Sequence, residues 1–489
     1  MKKMKKYIVI LLMGILNTHF VFSQNKFSDR LFANYEKYRE EKIKNRRFNH
    51  VLVDSLLNEH RTEGIFKIQK VGESIQNRSL NLVSIGHGKT EVLLWSQMHG
   101  DEPTATMAIF DILNFFASND FEEEKKILLD SLSIHFLPML NPDGAEIFER
   151  RNALGVDINR DALRLQSPES KTLKRMRDSL DADFGFNLHD QSRYYNAERT
   201  SKPATISFLA TAYNYEKDIN EVRAKSMKLI VDMNKVLQKY APAQVGRYND
   251  DFEPRAFGDN IQKWGTSLVL IESGGYPDDR EKQVIRKLNF VVILSALKSI
   301  ATKSYEKEAI SDYEKIPEND RMLFDLKLKG ITYQIDDKSY ILDIGIDQDE
   351  NELQGEDFYF SGRVVDQGDL STSYGYEEIN ASDLMLKFPE VYPKTITSEE
   401  ELMKLDVPKL IEKGYLFVPV SEEMLQKEYS SFPLNLVSED FKVKKELRPG
   451  IPANFILYQG GKVIQAVING FLTQPENAGQ NVLNSRSYY

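Results

Sequence analysis

The stretch from Trp95 to Thr104, WSQMHGDEPT, sets His99 and Glu102 three residues apart, after an apolar run and before a helix-starting Pro-Thr. Imidazole nitrogen and carboxylate oxygen suit zinc, and a catalytic zinc site takes three protein ligands and leaves a fourth position for water. His-x-x-Glu alone has little specificity, because His60 and Glu63 in NEHRTEG repeat the spacing in a charged helical stretch that reads as a solvated helix face. The copy at His99 differs in its setting. A buried strand delivers it, Gly100 lets the backbone turn, and a helix start holds Glu102.

A third ligand has to come from elsewhere. Of the seven histidines, His19 falls in the N-terminal apolar segment, His50, His60 and His87 lie away from strand ends, and His135 sits in mid-strand as a core residue. His189 remains. It closes the run FGFNLH and is followed by Asp190 and Gln191, which could orient its ring. Taken singly, it is as readily a structural histidine as a ligand.

The elements that must position these residues alternate. Short β-like runs (FKIQKVG, LNLVSIG, TEVLLWSQM) precede a helix at ATMAIFDILNFFA. LSIHFLPML then reads as a strand ending in the turn NPDG, ESKTLKRMRDSLDA as a helix, FGFNLH as a strand and EVRAKSMKLIVDMNKVLQKYA as a helix. TSLVLIESGG is the next strand and EKQVIRKLNFVVILSALKSIA the next helix. This pattern predicts an α/β fold, a mostly parallel (mixed) sheet covered by helices on both faces, with ligands bound beyond the carboxyl ends of the strands. The pattern is lost in the charged segment 304–322, read as a linker between a catalytic domain over 24–303 and a C-terminal β-rich domain over 323–489. In the latter, KGITYQI, SYILDIGI, FYFSGRVV, ANFILYQ and KVIQAVING read as strands, with helices near Ser398–Lys413 and Ser421–Lys427.

Composition narrows the class. The chain has 489 residues, 41% hydrophobic and 28% charged, which suits a large globular core. A net charge of −10 without a basic face argues against nucleic acid as a partner. There is no cysteine, so thiolate ligands, disulfides and thiol catalysis are excluded. Residues 1–23, MKKMKKYIVILLMGILNTHFVFS, have a basic start, a short apolar stretch and small residues near Ser23, the layout of a secretory signal. The expectation is an exported protein, secreted or periplasmic, with no stable membrane span once that segment is removed. Whether the segment before Phe66 is a removable pro-region stays open at this level.

Two further segments, NPDGAEIFERRNALGVDINRD (Asn141 to Asp161) and LIESGG (Leu270 to Gly275), join HGDE and His189 in a constellation that resembles the zinc carboxypeptidases of the carboxypeptidase A type, family M14. The resemblance runs over about residues 65–301, with the motifs in the family's order. It implies one zinc ion held by His99, Glu102 and His189, with Glu272 as general base. It implies Asn159 and Arg160 as the pair that grips a substrate carboxylate, and Arg150, with Arg151 as the alternative, as the arginine that stabilises an oxyanion. The family's loop tyrosine has a candidate counterpart in Tyr248, although the flanking residues match poorly. Arg255, in the region where the family sets side-chain preference, reads equally as a selector for acidic side chains and as a surface charge. ELRPGIPANFILYQGGKVIQAVING looks like the short β-segment that closes the small β-domain of amidohydrolases, without their catalytic histidines.

The chemistry asks for the same residue types. Amide hydrolysis needs a Lewis acid, a carboxylate to take a proton from water, and a cation where the carbonyl oxygen gains charge. A second guanidinium can hold a chain-end carboxylate bidentately and restrict cleavage to termini. The implied function is a zinc metallocarboxypeptidase acting on a peptide or peptide-like substrate with a free carboxylate. A deacylase or amidase for small N-acyl amino acids or cell-wall peptides would use the same groups, and a non-catalytic carboxylate-binding protein would keep only the clamp.

Overall fold

The computed structural model describes residues 26–352, 358–425, 429–430, 432–478 and 487–488, and residues 1–23, expected to be a secretory signal, lie outside the described residues. The described chain divides between Arg321 and Met322 into two units.

The first unit is built on strands β1 (Lys67–Glu73), β2 (Ser79–Gly86), β3 (Thr90–Ser96), β4 (Leu132–Leu137), β5 (Phe184–Asp190), β6 (Tyr195–Ala197), β7 (Ile206–Leu209), β8 (Val245–Arg247), β9 (Ser267–Ser273) and β10 (Asn319–Arg321). Eight of them form one sheet in the order β1-β2-β4-β3-β5-β9-β7-β8, and β6 pairs with β10 separately. The central strands β4, β3, β5 and β9 are mutually parallel, and antiparallel pairings of β1 with β2, β2 with β4 and β7 with β9 flank them. The sheet is therefore the mixed, centrally parallel one that the alternating pattern predicts.

Its helices are α1 (26–34), α2 (His50–Thr62), α3 (Thr104–Ala117), α4 (Glu122–Ser131), α5 (Pro142–Glu146), α6 (Pro168–Leu180), α7 (Glu221–Leu237), α8 (Phe257–Lys263) and α9 (Gln283–Thr302). Strand residues alternate between two cores, because successive side chains point to opposite faces. Val92, Leu94, Ile134, Phe136, Phe186 and Leu188 face the core made with α3, α7 and α9, whereas Leu93, Trp95, Leu137 and Leu268 face the one made with α6 and α8. Helices α3 and α9 are buried on nearly every side, so their apolar residues run past a single stripe.

Several sequence readings change here. The NPDG turn is the start of α5, where the Asn141 side chain accepts from the Gly144 N–H. His60 is buried against Phe66 and Phe110, with Glu63 3.0 Å from its Nδ1, so that copy of the motif is a core-anchored pair and not a solvated face. The tertiary fold brings β1 and α3 onto a helix face whose own sequence looks polar. Segment 304–321 packs into the first unit through buried Tyr305, Tyr313 and Ile316 and through β10, with its charges on the exposed side. It does not serve as a free linker.

The second unit is β-rich. Leu323–Ile335, Lys338–Glu352 and Phe358–Gly368 form an antiparallel meander, joined through Met385–Lys387 to Phe455–Gln459, Lys462–Ile468 and Phe471–Thr473. A second, parallel sheet holds Glu390–Val391, Tyr415–Pro419, Asn435–Val437 and Ser487–Tyr488. The helices near 398–413 are the short Glu399–Leu402 and Val407–Glu412, and Glu422–Leu425 is a single 3₁₀ turn. Among the described residues, no helix is long and apolar enough to cross a membrane.

Within the described residues, the segment before Phe66 packs into the core. Phe27, Leu31, Tyr35, Tyr38 and Ile43 are buried in the same cluster as α3 and α9. Arg286 Nε donates to Asp111 Oδ2 at 2.7 Å and its Nη1 to the Ile43 carbonyl at 2.8 Å, while the Tyr35 hydroxyl donates to Asp111 at 2.9 Å. Arg286→Met would strand the Asp111 carboxylate without its cation, a loss of about 3–5 kcal/mol. A urea unfolding curve should show it, and deleting residues 26–44 should likewise lower the midpoint and not activate the protein.

Candidate metal centre

The carboxyl ends of β3 and β5 lie side by side, with Ser96 in register with Leu188. His99 follows the end of β3, Glu102 precedes α3, and His189 is the next-to-last residue of β5. Adjacent parallel strands thus bring two distant sequence segments to one point.

Glu102 sits between the rings. His99 Nδ1 is 2.7 Å from its Oε1 and His189 Nδ1 is 2.7 Å from its Oε2. All three side chains are buried, and one ligand atom from each lies within 4.8 Å of the others. Both imidazoles present the same nitrogen to one carboxylate, which is a donor set that fits a zinc ion. Burial pushes the Glu102 carboxyl upward, but the two imidazoles outweigh it and hold it well below the ordinary range. Burial also disfavours charge on both rings; it wins at His189, while at His99 Glu102 and Asp157 overcome it and raise the pKa to about 9.

Gly100 lies in the turn closed by the Glu102 N–H, which donates to the His99 carbonyl at 3.2 Å, and it also allows a close backbone approach. Its φ is not left-handed, and a Cβ there would lie 2.1 Å from the Gly144 carbonyl carbon, so close approach of HGDE to NPDG demands the glycine.

The other expected residues are distributed as follows. Glu272 on β9 is in register with His189 on β5 and with Ser207 on β7. Burial raises its carboxyl well above the ordinary range, and the negative charge of Glu102 adds to the effect. Arg150 reaches the cluster: its Nη1 is 3.0 Å from His99 Nδ1 and 3.2 Å from Glu102 Oε1. Arg151 does not, and donates to the Gly155 carbonyl at an exposed site. Tyr248 packs on Tyr195 with ring centroids 5.9 Å apart, and its hydroxyl is raised by burial first, then by Tyr195 and by the charge of Glu272. Asn159 Oδ1 accepts from the Phe257 N–H at 2.9 Å, which ties the neighbouring Arg160 to the start of α8. His135 is a core residue, 2.7 Å from Ser84 Oγ and 2.7 Å from Glu91 Oε2.

Two residues escaped sequence reasoning. Asp157 Oδ1 is 3.1 Å from His99 Nε2 and its Oδ2 accepts from Arg150 Nε at 3.0 Å, so one carboxylate orients both a candidate ligand and the candidate oxyanion arginine. It lies two residues before Asn159 in GVDINRD, and that proximity was the only available signal. Lys282 is buried and donates to Asp190 Oδ2 at 3.0 Å and to the Ser273 carbonyl at 2.9 Å, while the Thr104 hydroxyl donates to the same Asp190 oxygen at 2.6 Å. The residues just after His189 and Glu272 are thereby pinned to one amine, and the residue after Pro103 to the same Asp190 oxygen. Lys282 holds a left-handed backbone (φ 53°), a strained conformation for a side-chain-bearing residue that the surrounding contacts must impose. Nothing in PDDREKQ distinguishes it from a solvated lysine.

A buried two-histidine, one-carboxylate cluster that could hold a metal ion thus stands at the strand ends of a parallel-centred α/β sheet. Residues 54–171 match the family model described as "Zinc carboxypeptidase". His99, Glu102, Arg150, Asn159 and Arg160 fall inside the matched segment, and His189 and Glu272 beyond it. Carboxypeptidase SOL1 of Arabidopsis thaliana is 26% identical over 185 residues, covering 32% of this chain and 37% of that protein. Carboxypeptidase E of Caenorhabditis elegans is 32% identical over 118 residues, covering 20% of this chain and 25% of that protein. The chain thus spans well under half the length of these relatives. A metallo-carboxypeptidase structure from Burkholderia cenocepacia aligns at 17% identity and a TM-score of 0.43, covering 52% of this chain and 69% of that one.

Asp157→Asn should weaken zinc binding about 10–100-fold, since partners of ligating histidines have effects of that size; chelator competition measures it. Asp259, on α8, is pushed up to about 7 by burial, against an ordinary 3.8. The folded state therefore keeps a proton that the unfolded chain has released. This group's contribution to stability is full below the ordinary range and falls as pH rises through about 7. Urea midpoints across that window should decline less for Asp259→Asn than for the wild type, and parallel curves would refute the assignment.

Proposed function

We propose that the first unit is a zinc-dependent metallocarboxypeptidase that hydrolyses the amide bond next to a free C-terminal carboxylate. The observation that carries this reading is the convergence of both Nδ1 atoms on Glu102, with Glu272 on the neighbouring strand and Arg150 against the same carboxylate.

His99, Glu102 and His189 would hold one zinc ion, which when bound supplies Lewis acidity for the scissile carbonyl and for water. Glu272 takes the proton from the attacking water and passes it to the leaving amine. A carboxylate with a raised pKa suits both halves of that transfer. Arg150, kept in place by Asp157, offers N–H donors where the carbonyl oxygen gains negative charge. Arg160 and Asn159 receive the substrate carboxylate. Asn159 has its side-chain oxygen engaged by the Phe257 N–H, so it has only N–H groups to offer an anion. Tyr248, beside Glu272 in the electrostatics of the site, contributes a phenolic hydroxyl to substrate binding.

The protein is exported in this proposal, on the composition of residues 1–23, which would be removed to leave a protein without a membrane span. The β-rich second unit carries a structural or substrate-positioning role.

Mass spectrometry of a mixed library of short peptides, incubated with the zinc-loaded protein, tests the reaction. Loss of single C-terminal residues is expected. Glu272→Gln should lower the rate about 10²–10⁴-fold while zinc is retained. Zinc binding without peptide cleavage would move the substrate to small N-acyl amino acids or cell-wall amides, and absence of zinc would remove the site.

A further inference from the structure

The cation expected to grip the substrate already faces a carboxylate of its own chain. Arg160 Nε lies 3.5 Å from Glu253 Oε2. Arg255 meets the same carboxylate along its other edge, Nε to Oε1 at 3.1 Å and Nη2 to Oε2 at 3.0 Å, and its backbone N–H donates to Oε1 as well. One carboxylate is thus shared between two guanidinium groups.

The backbone beneath it is fixed. The Glu253 N–H donates to Asp259 Oδ1 at 3.1 Å, Asn260 Nδ2 donates to the Pro254 carbonyl at 2.8 Å, and the Ala162 N–H donates to the Arg255 carbonyl at 3.1 Å. Together with the bond from Phe257 to Asn159, these hold residues 253–257 against the Asn159-Arg160 segment. Only side-chain rotation can separate Glu253 from Arg160. Both groups are about one-third exposed, so an incoming anion can reach them.

We propose that Glu253 is an internal competitor for the carboxylate clamp, displaced from Arg160 by the substrate's terminal carboxylate and retained by Arg255 when displaced. The inference rests on the assignment of Arg160 as the clamp. Two carboxylates cannot share one guanidinium edge without repulsion, so each bound substrate must turn Glu253 away. Arg255 lowers the cost of that rotation because its fork already holds the departing group. Its role is then neither selection of acidic side chains nor idle surface charge.

The two variants should act in opposite directions. Binding of N-acetyl-leucine and of N-acetyl-leucine amide to the zinc-loaded full chain would be followed by titration, with zinc content checked in each variant. Glu253→Gln should tighten the acid about three- to fivefold, the scale of a partly exposed ion pair, and leave the amide unchanged. Arg255→Met should weaken the acid by a similar factor, and the double variant should behave like Glu253→Gln. With peptide substrates the same changes should appear in KM with kcat steady. Unchanged or weaker binding of the acid to Glu253→Gln, while Arg160→Ala weakens it strongly, would overturn this proposal alone. Equal binding of the acid to wild type and Arg160→Ala would overturn the clamp assignment and this proposal with it.

Discussion

Glu102 is a buried carboxylate held between two imidazoles, and most of the first unit's architecture serves to make that burial tolerable. A charge removed from water needs partners on every exposed lone pair. Two of those partners come from segments ninety residues apart, and they meet only because β3 and β5 are neighbours and parallel. The start of α3 must fall directly after Glu102, and the HGDE loop must lie against α5. Gly100 permits this by having no side chain where it meets the Gly144 backbone. Sheet order, helix start and glycine placement are three consequences of one electrostatic requirement.

Around this centre, charged groups stand behind His99, Arg150 and the strand ends. Asp157 stands behind His99 and Arg150, and Lys282 behind Asp190 and the carbonyl after Glu272. Such groups fix ring orientation and strand-end position at distances where small displacements matter. Burial keeps the Glu272 carboxyl raised, while Glu102, between two imidazoles, is held low. Two carboxylates of the same chemical type are thereby separated into a ligand-like and a base-like group by their surroundings.

The substrate side of the site is more open than the metal side. Arg150, Arg160, Glu253 and Arg255 are all partly exposed, and they lie on loops and short helical turns, not on the sheet. A rigid buried half and an exposed exchangeable half is the division expected where one part must hold a geometry and the other must exchange partners with an anion.

Local pattern alone determined a good deal. The 3.6-residue and two-residue periodicities of ATMAIFDILNFFA and TEVLLWSQM state which segments are helix and strand, because backbone geometry ties side-chain spacing to burial. Alternation of those segments implies the sheet class, and the types and order of His99, Glu102, His189 and Glu272 imply the chemistry. What the sequence could not decide depends on which surfaces meet. Whether His60 is solvated, whether Arg150 or Arg151 turns inward, and whether Lys282 is a surface lysine all hinge on elements distant in the chain. The same is true of residues 26–44, which Asp111 and Arg286 anchor to the core from α3 and α9. Desolvation and pairing are properties of the assembled interior, so only the tertiary structure could assign them.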